Sequence, residues 1–397
     1  MSPFMTTNNS YVAQSFLDKA ANLYPEFKNC PQPPNANYLL SEIEVEVSKA
    51  QLEIIEHFIQ CIFRVSRQAE YRHSLAKIDD PICQFFPPND SVLMAYDFHI
   101  ANDGTPKLIE VNTNASGFLV ADTLYKTLQR DPYFREPLKA LAQSFQTEAG
   151  ASTSLESVII DENLLQQKML FEFYMYKSFL ESLGWRCKIS DFRELSSKAD
   201  GLYIGETKLD FIYNRLTDFY LQKKESHPLR RAYITNQARL SPQPREYYLL
   251  ADKQRMVDWS MDGFWGDAGA TKEEIDLFDR ILLKSYNTES FKDLDQLWTL
   301  RKKMFFKPLR MYGGKSVFKG ANISRKRFLE MLDAGPCLAQ ELCSPALVQD
   351  KGGTTWKYDL RFYVYRDQVQ LGVARLYQGQ LTNFKTPGGG YATLRVN

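Results

Sequence analysis

The sequence has no C-x-x-C pair, and its six cysteines (Cys30, Cys61, Cys83, Cys187, Cys337, Cys343) are scattered along 397 residues. That spacing excludes a zinc ribbon or a redox dithiol, and the thiols read as reduced and structural. Histidine is equally scarce, and His57, His73, His99 and His227 are too dispersed to build a zinc site. No apolar run approaches the ~18 residues of a membrane span. The opening MSPFMTTNNSYVAQSFLDKA lacks a basic flank followed by an apolar stretch. A cytoplasmic location with no membrane partner is therefore the expectation. Excess charge is missing too: 49 Lys and Arg against 48 Asp and Glu leave a formal +1, so no global field recruits nucleic acid. Repeats and low-complexity tracts are also absent. What the chain does have is 44% apolar residues and 13% aromatics, enough to furnish cores for two or three domains.

Residues 1–85 read as an N-terminal helical region. Within it, Ser41 and Glu44 are spaced like a capping box, and Leu52, Ile55, Phe58, Ile59 and Ile62 then recur at the helical period. FFPPND at 85–90 breaks that pattern. Residues 86–150 begin with a predicted hairpin, in which SVLMAYDFHI returns after NDG as PKLIEV. Residues 151–250 alternate SVII, a helix over 163–183, a strand at WRCKI and another at KLDFIYNR, as an α/β domain does, with an irregular crossing from 221. From 251 to 397 the pattern is a helix at ADKQRMVDW and then a β-rich lobe, with MFFKPL, SVFKG, CLAQEL and the pair DLRFYVY and QVQLGVARLY.

Chemistry concentrates first in the hairpin. Asp103-Gly104 between two apolar runs predicts a two-residue turn, because both central residues of a type I′ turn need positive φ. With Asn102 facing Thr105, Asp97 falls directly opposite Glu110, and strand alternation adds Asn112 to the same face. Phe98, Ile100, Ile109 and Val111 then fall on the core side. Two opposed carboxylates and an amide oxygen suit a hard cation such as Mg²⁺, which in turn brings phosphates. A solvated acidic hairpin, with Lys107 or Arg130 balancing the charge, is the alternative.

These residues resemble ATP-grasp enzymes such as D-alanine ligases and glutathione synthetases, in which an Asp on one strand is followed by E-x-N on the next. By that resemblance Asp97, Glu110 and Asn112 are magnesium ligands, and NTNASG (112–117) is the loop whose backbone amides meet a transferring phosphoryl group. FFKPLRMYGGKSVF looks like the strand, lysine and Gly-rich flap that cover ATP, and CLAQEL looks like the adenine hinge. The string GGKS is not a P-loop, which would need glycine at Leu309. The flap follows the metal hairpin instead of preceding it, the circularly permuted order of eukaryotic-type glutathione synthetases. IEVNTNASG and YLLADKQRMVDW resemble segments of those enzymes, but Met311 and Tyr312 stand where their flap carries an acid. The implied fold is two α+β lobes gripping ATP, with an α/β substrate domain and N-terminal helices.

The resemblance assigns further roles. Lys253, Lys307, Gly313, Gly314 and Lys315 would hold ATP phosphates, while Gln340, Glu341 and Leu342 would offer hinge groups to adenine. Arg361 and Arg375 would be catalytic, facing the γ-phosphate or the reacting carboxylate. Arg215, Asn383, Gly388 and Gly389 would border the substrate. Each residue also has a structural reading: a strand-end or surface-helix lysine, a plain turn, a buried strand, or an ion pair such as Arg361 with Asp359. The activity implied is an ATP- and Mg²⁺-dependent carboxylate–amine ligase acting through an acylphosphate on small-molecule substrates. A kinase phosphorylating a hydroxyl and a nucleotide-binding protein without turnover are the rivals.

Overall fold

The structure is a computed structural model that describes the backbone of residues 5–150, 154–309 and 317–397, with side chains from residue 11. A seven-stranded sheet organises it. Its strands are β1 (Leu40–Val47), β2 (Met94–Ile100), β3 (Pro106–Asn112), β15 (Ala346–Gln349), β16 (Thr355–Tyr365), β17 (Gln368–Tyr377) and β18 (Gly390–Val396). They run in the order β1-β18-β17-β16-β2-β3, with β15 pairing the start of β16. The two ends of the chain thus meet in one sheet, where β1 lies parallel to β18.

Strand alternation covers both faces of this sheet. Phe98, Leu360, Phe362 and Ala374 pack with helix Lys49–Ser66, whose Leu52, Ile55, Phe58, Ile59 and Ile62 are all buried. Tyr363, Val373 and Tyr391 pack with helix Phe118–Thr127 and helix Leu170–Ser182 on the other side. A parallel four-stranded sheet follows, of β4 (Glu156–Asp161), β5 (Arg186–Asp191), β9 (Phe211–Asn214) and β10 (Arg239–Ser241), beside a small sheet of β6 (Leu195–Lys198), β7 (Gly201–Ile204) and β8 (Thr207–Lys208). A second lobe carries β11 (Ser285–Asn287), β12 (Met304–Pro308), β13 (Phe318–Lys319) and β14 (Cys337–Glu341) around its own core of Leu297, Phe306 and Phe328.

Several sequence expectations are corrected. Ser41 and Glu44 lie in β1, because LSEIEVEV alternates apolar β-branched residues at period two; the capping box is Ser48 with Gln51 instead. The helix expected over 163–183 starts later, at Leu170, after a short 3₁₀ turn at Leu164–Gln166. The β2–β3 turn is a three-residue loop. Ala101 N donates to Thr105 O and Gly104 N to Ala101 O, and Gly104 takes φ +83°. That shifts the pairing by one, so Phe98 faces Leu108, but a bulge at Ile109 shifts it back. Asp97 therefore still pairs with Glu110, while Ile109 moves from the expected core side into a cavity wall.

Candidate active site

A cavity of about 500 Å³ opens between the seven-stranded sheet and the second lobe. The sheet supplies Asp97, Glu110, Asn112, Asp359 and Arg375, the second lobe supplies Phe305, Lys307, Leu338, Gln340 and Glu341, and Lys253 with Met256 closes one side. The loop after β17 contributes Leu381, Asn383 and Phe384.

At the sheet end a neutral quartet of charges is buried. Arg361, in register with Asp97 across β16 and β2, grips it in two bonds, Nε to Oδ1 at 2.8 Å and Nη2 to Oδ2 at 2.7 Å. Arg375 donates from Nη2 to Asp97 Oδ2 at 2.9 Å and from Nε to Asp359 Oδ1 at 2.6 Å. Thr382 Oγ1 donates to the other oxygen of Asp359. Burial pushes the Asp97 pKa up, but the charges of Arg361 and Arg375 outweigh it and hold the carboxyl below its usual range. The opposed carboxylates are thus balanced, though by neither expected cation: two guanidiniums stand beside Asp97. Lys107 and Arg130 are engaged elsewhere, on Arg280 O and on Glu44 and Thr393.

Asn112 Nδ2 sits 3.3 Å from both Asp97 Oδ2 and Glu110 Oε1, so the three expected metal ligands do converge. Across the cavity, Lys307 is 8% exposed and donates to Ile109 O at 3.2 Å and Gln340 Oε1 at 3.1 Å. Both acceptors are neutral. Burial lowers the Lys307 pKa, partly offset by the charges of Glu110 and Asp97. Lys253 donates to Pro308 O at 3.0 Å, and burial lowers its pKa too. Among the described residues no group of three or more His, Cys, Asp or Glu is arranged to hold a metal ion by itself. The donor set nevertheless fits magnesium, which commonly takes one or two carboxylates and fills its shell with phosphate and water oxygens. Glu110 and the amide oxygen of Asn112 can supply that share, whereas both oxygens of Asp97 are spent on arginine.

No family model and no curated protein sequence matches the chain. Among the solved structures that share its fold, two cover most of the chain. A glutathione synthetase-like effector from Globodera pallida, in apo form, aligns over 100% of this chain and 99% of its own, with a TM-score of 0.56 at 11% identity. A putative gamma-glutamylcysteine synthetase from Methylobacillus flagellatus aligns over 89% of both chains, with a TM-score of 0.51 at 10% identity. The fold is ATP-grasp-like, of the glutathione synthetase type. Not all of the residues marked out on the ATP-grasp pattern reach the cavity.

Gly313, Gly314 and Lys315, expected to hold ATP phosphates, lie outside the described residues. Lys253, Lys307, Gln340, Glu341, Arg375 and Asn383 line the cavity, but Arg361 lies behind Asp97 and Leu342 is not in the wall. The backbone amides of Glu341 and Leu342, expected to serve adenine, donate to Lys284 O and Lys303 O. Arg215 is buried under the 112–117 loop, where its Nη1 donates to Ala115 O at 3.1 Å and its Nη2 to Ser116 Oγ. In the same loop Gly117 N donates to the Glu172 carboxylate at 2.8 Å, so this amide is engaged inside the protein. Gly388 N donates to Asn37 O, and Gly389 packs between Leu376 O and the Trp356 ring, away from the cavity wall. Two wall residues escaped notice as site candidates. Asp359 was legible in principle, two residues from Arg361 on one strand and in register with Arg375 on the next. His99, whose Nδ1 meets Cys343 O at 2.8 Å, gave no signal beyond its place on β2.

Proposed function

We propose that the chain is an ATP- and Mg²⁺-dependent ligase that joins a carboxylate to an amine, both small molecules, through an acylphosphate. One observation carries this: Lys307 is desolvated in the cavity and donates only to neutral acceptors, facing Glu110, with Lys253 lining the same cavity. Burying an ammonium against carbonyl oxygens alone is costly, and an anionic ligand such as a polyphosphate would repay that cost.

Glu110 and Asn112 would hold magnesium, which when bound neutralises phosphate charge. Lys307 and Lys253 hold the phosphates from the lobe side. Arg375, fixed by Asp97 and Asp359, presents its remaining donor at the sheet end, where charge accumulates on the transferred phosphoryl group. The substrate carboxylate oxygen bonds to the γ-phosphorus as the bond to ADP breaks. The amine then attacks the acyl carbon, phosphate leaves with the electron pair, and the ammonium proton is lost to solvent. No protein nucleophile takes part, and the chain's contribution is positioning and electrostatics.

Hydroxylamine offered in place of the amine should give a hydroxamate with release of ADP. A stable phosphoester product would instead assign a hydroxyl kinase. Calorimetry that detects no Mg-ATP binding would remove both readings.

A further inference from the structure

Building on the ligase reading, we infer that the carboxylate substrate bears an apolar or aromatic body and a single carboxylate, and that the loop after β17 selects it. The argument is one of subtraction. The carboxylates at the sheet end are already engaged: Asp97 holds Arg361 and Arg375, and Asp359 holds Arg375 and Thr382, which leaves there the Arg375 donor already given to the phosphoryl group. Asn383, the amide in the same wall, spends its Nδ2 on Gln378 O at 2.8 Å and Leu381 O at 2.7 Å, and its Oδ1 on Lys385 N. His99 is engaged too, its Nδ1 bonded to Cys343 O at 2.8 Å.

A ligand bearing a second carboxylate or an ammonium at this end would have to break a buried charge pair to be recognised. Much of the surface that remains on the loop side is apolar. Tyr377, Leu381 and Phe384 form it on the loop side, with Phe384 packed on Tyr391 at 5.1 Å between ring centroids. Phe219 and Tyr247 line the same cavity, stacked at 4.2 Å with 7° between their planes. Such a pocket rewards an apolar body and leaves one carboxylate to meet the phosphoryl group.

The test is ADP release with Mg-ATP and a panel of amino acids, supported by equilibrium dialysis of phenylalanine, leucine, glutamate and aspartate against the protein loaded with magnesium and a non-hydrolysable ATP analogue. Phenylalanine or leucine should bind and be turned over in preference to glutamate and aspartate. Phe384→Ala and Leu381→Ala should each raise KM for the apolar substrate by about 10-fold, the usual worth of a lost apolar contact, with Mg-ATP affinity unchanged. Preference for glutamate or aspartate in dialysis, or an unaltered substrate order in both variants, would overturn the inference while leaving the ligase reading intact. Absent Mg-ATP binding would remove the ligase reading itself, and this inference with it.

Discussion

Asp97 and Glu110 are paired across two strands yet stand in opposite electrostatic situations. Asp97 is 1% exposed and accepts three guanidinium bonds, so removing its charge leaves two buried arginines short of a partner. Asp97→Asn should cost about 3–5 kcal/mol, the range for breaking a buried pair, read as a lower urea midpoint. Glu110 is only partly buried and, among the described residues, bonds to no guanidinium, so Glu110→Gln should leave the midpoint nearly unchanged. It should weaken Mg-ATP binding by at least about 10-fold, the loss seen when a metal site's anionic support is removed. Equal stability in the two variants would refute the clamp assigned to Asp97. The pH dependence follows from the sign of the shift. Folding depresses the Asp97 pKa below 3.8, so its stabilisation is fully present above that value and is lost as pH falls through the folded value. Acid unfolding should therefore lose part of its steepness in Asp97→Asn.

At the scale of elements, the strands and helices with a clear period were legible in the sequence, and the local irregularities were not. Helix Lys49–Ser66 and the β16–β17 pair followed directly from their apolar pattern. Beyond the bulge the β2–β3 register, and with it the Asp97–Glu110 pair, was read correctly although both of its determinants were missed, because the three-residue loop and the bulge at Ile109 cancel there. A bulge leaves no mark in a two-residue period, and the arginines that answer Asp97 come from more than 260 positions downstream, beyond any local pattern. The 112–117 loop is of the same kind, since its shape is set by distant groups. Tyr363 and Tyr391 donate to Ser116 O, and Glu172 receives Gly117 N. Gly117 takes φ +102°, and a Cβ there would lie 2.0 Å from the Tyr391 hydroxyl. Gly117→Ala should cost more than about 1 kcal/mol, seen as a lower melting temperature. Burial raises the Glu172 pKa from 4.5 to about 7, with Arg215 opposing. Its contribution is therefore full below 4.5 and is lost as pH rises through about 7. Glu172→Gln should flatten that decline in melting temperature across neutral pH, without abolishing it, because Glu148 and Asp161 are also pushed to about 7 by burial.

Across the whole molecule, the cavity exists because segments far apart in the chain close on one another. Lys307, on the second lobe, donates to Ile109 O on the bulge of the main sheet, 198 positions away. The bulge thus both restores the Asp97–Glu110 register and offers the carbonyl that draws the lobe lysine inward. A ligand that bridges Glu110 and Lys307 would add to this contact and bind only the assembled state. Linkage then sets the expectation: Mg-ATP at 100 times its Kd should stabilise the fold by about 2.7 kcal/mol, visible as a rise in melting temperature that chelation of magnesium reverses. Lys307→Met should keep the unliganded melting temperature or raise it, since a buried ammonium is replaced by an apolar chain of similar length, and should abolish the nucleotide-dependent rise. If Lys307→Met melts with the same Mg-ATP increment as the unsubstituted chain, the lysine is a support of the lobe and the nucleotide lies elsewhere. If the increment disappears while the unliganded protein remains folded, the charge of Lys307 is maintained for its ligand and not for the fold.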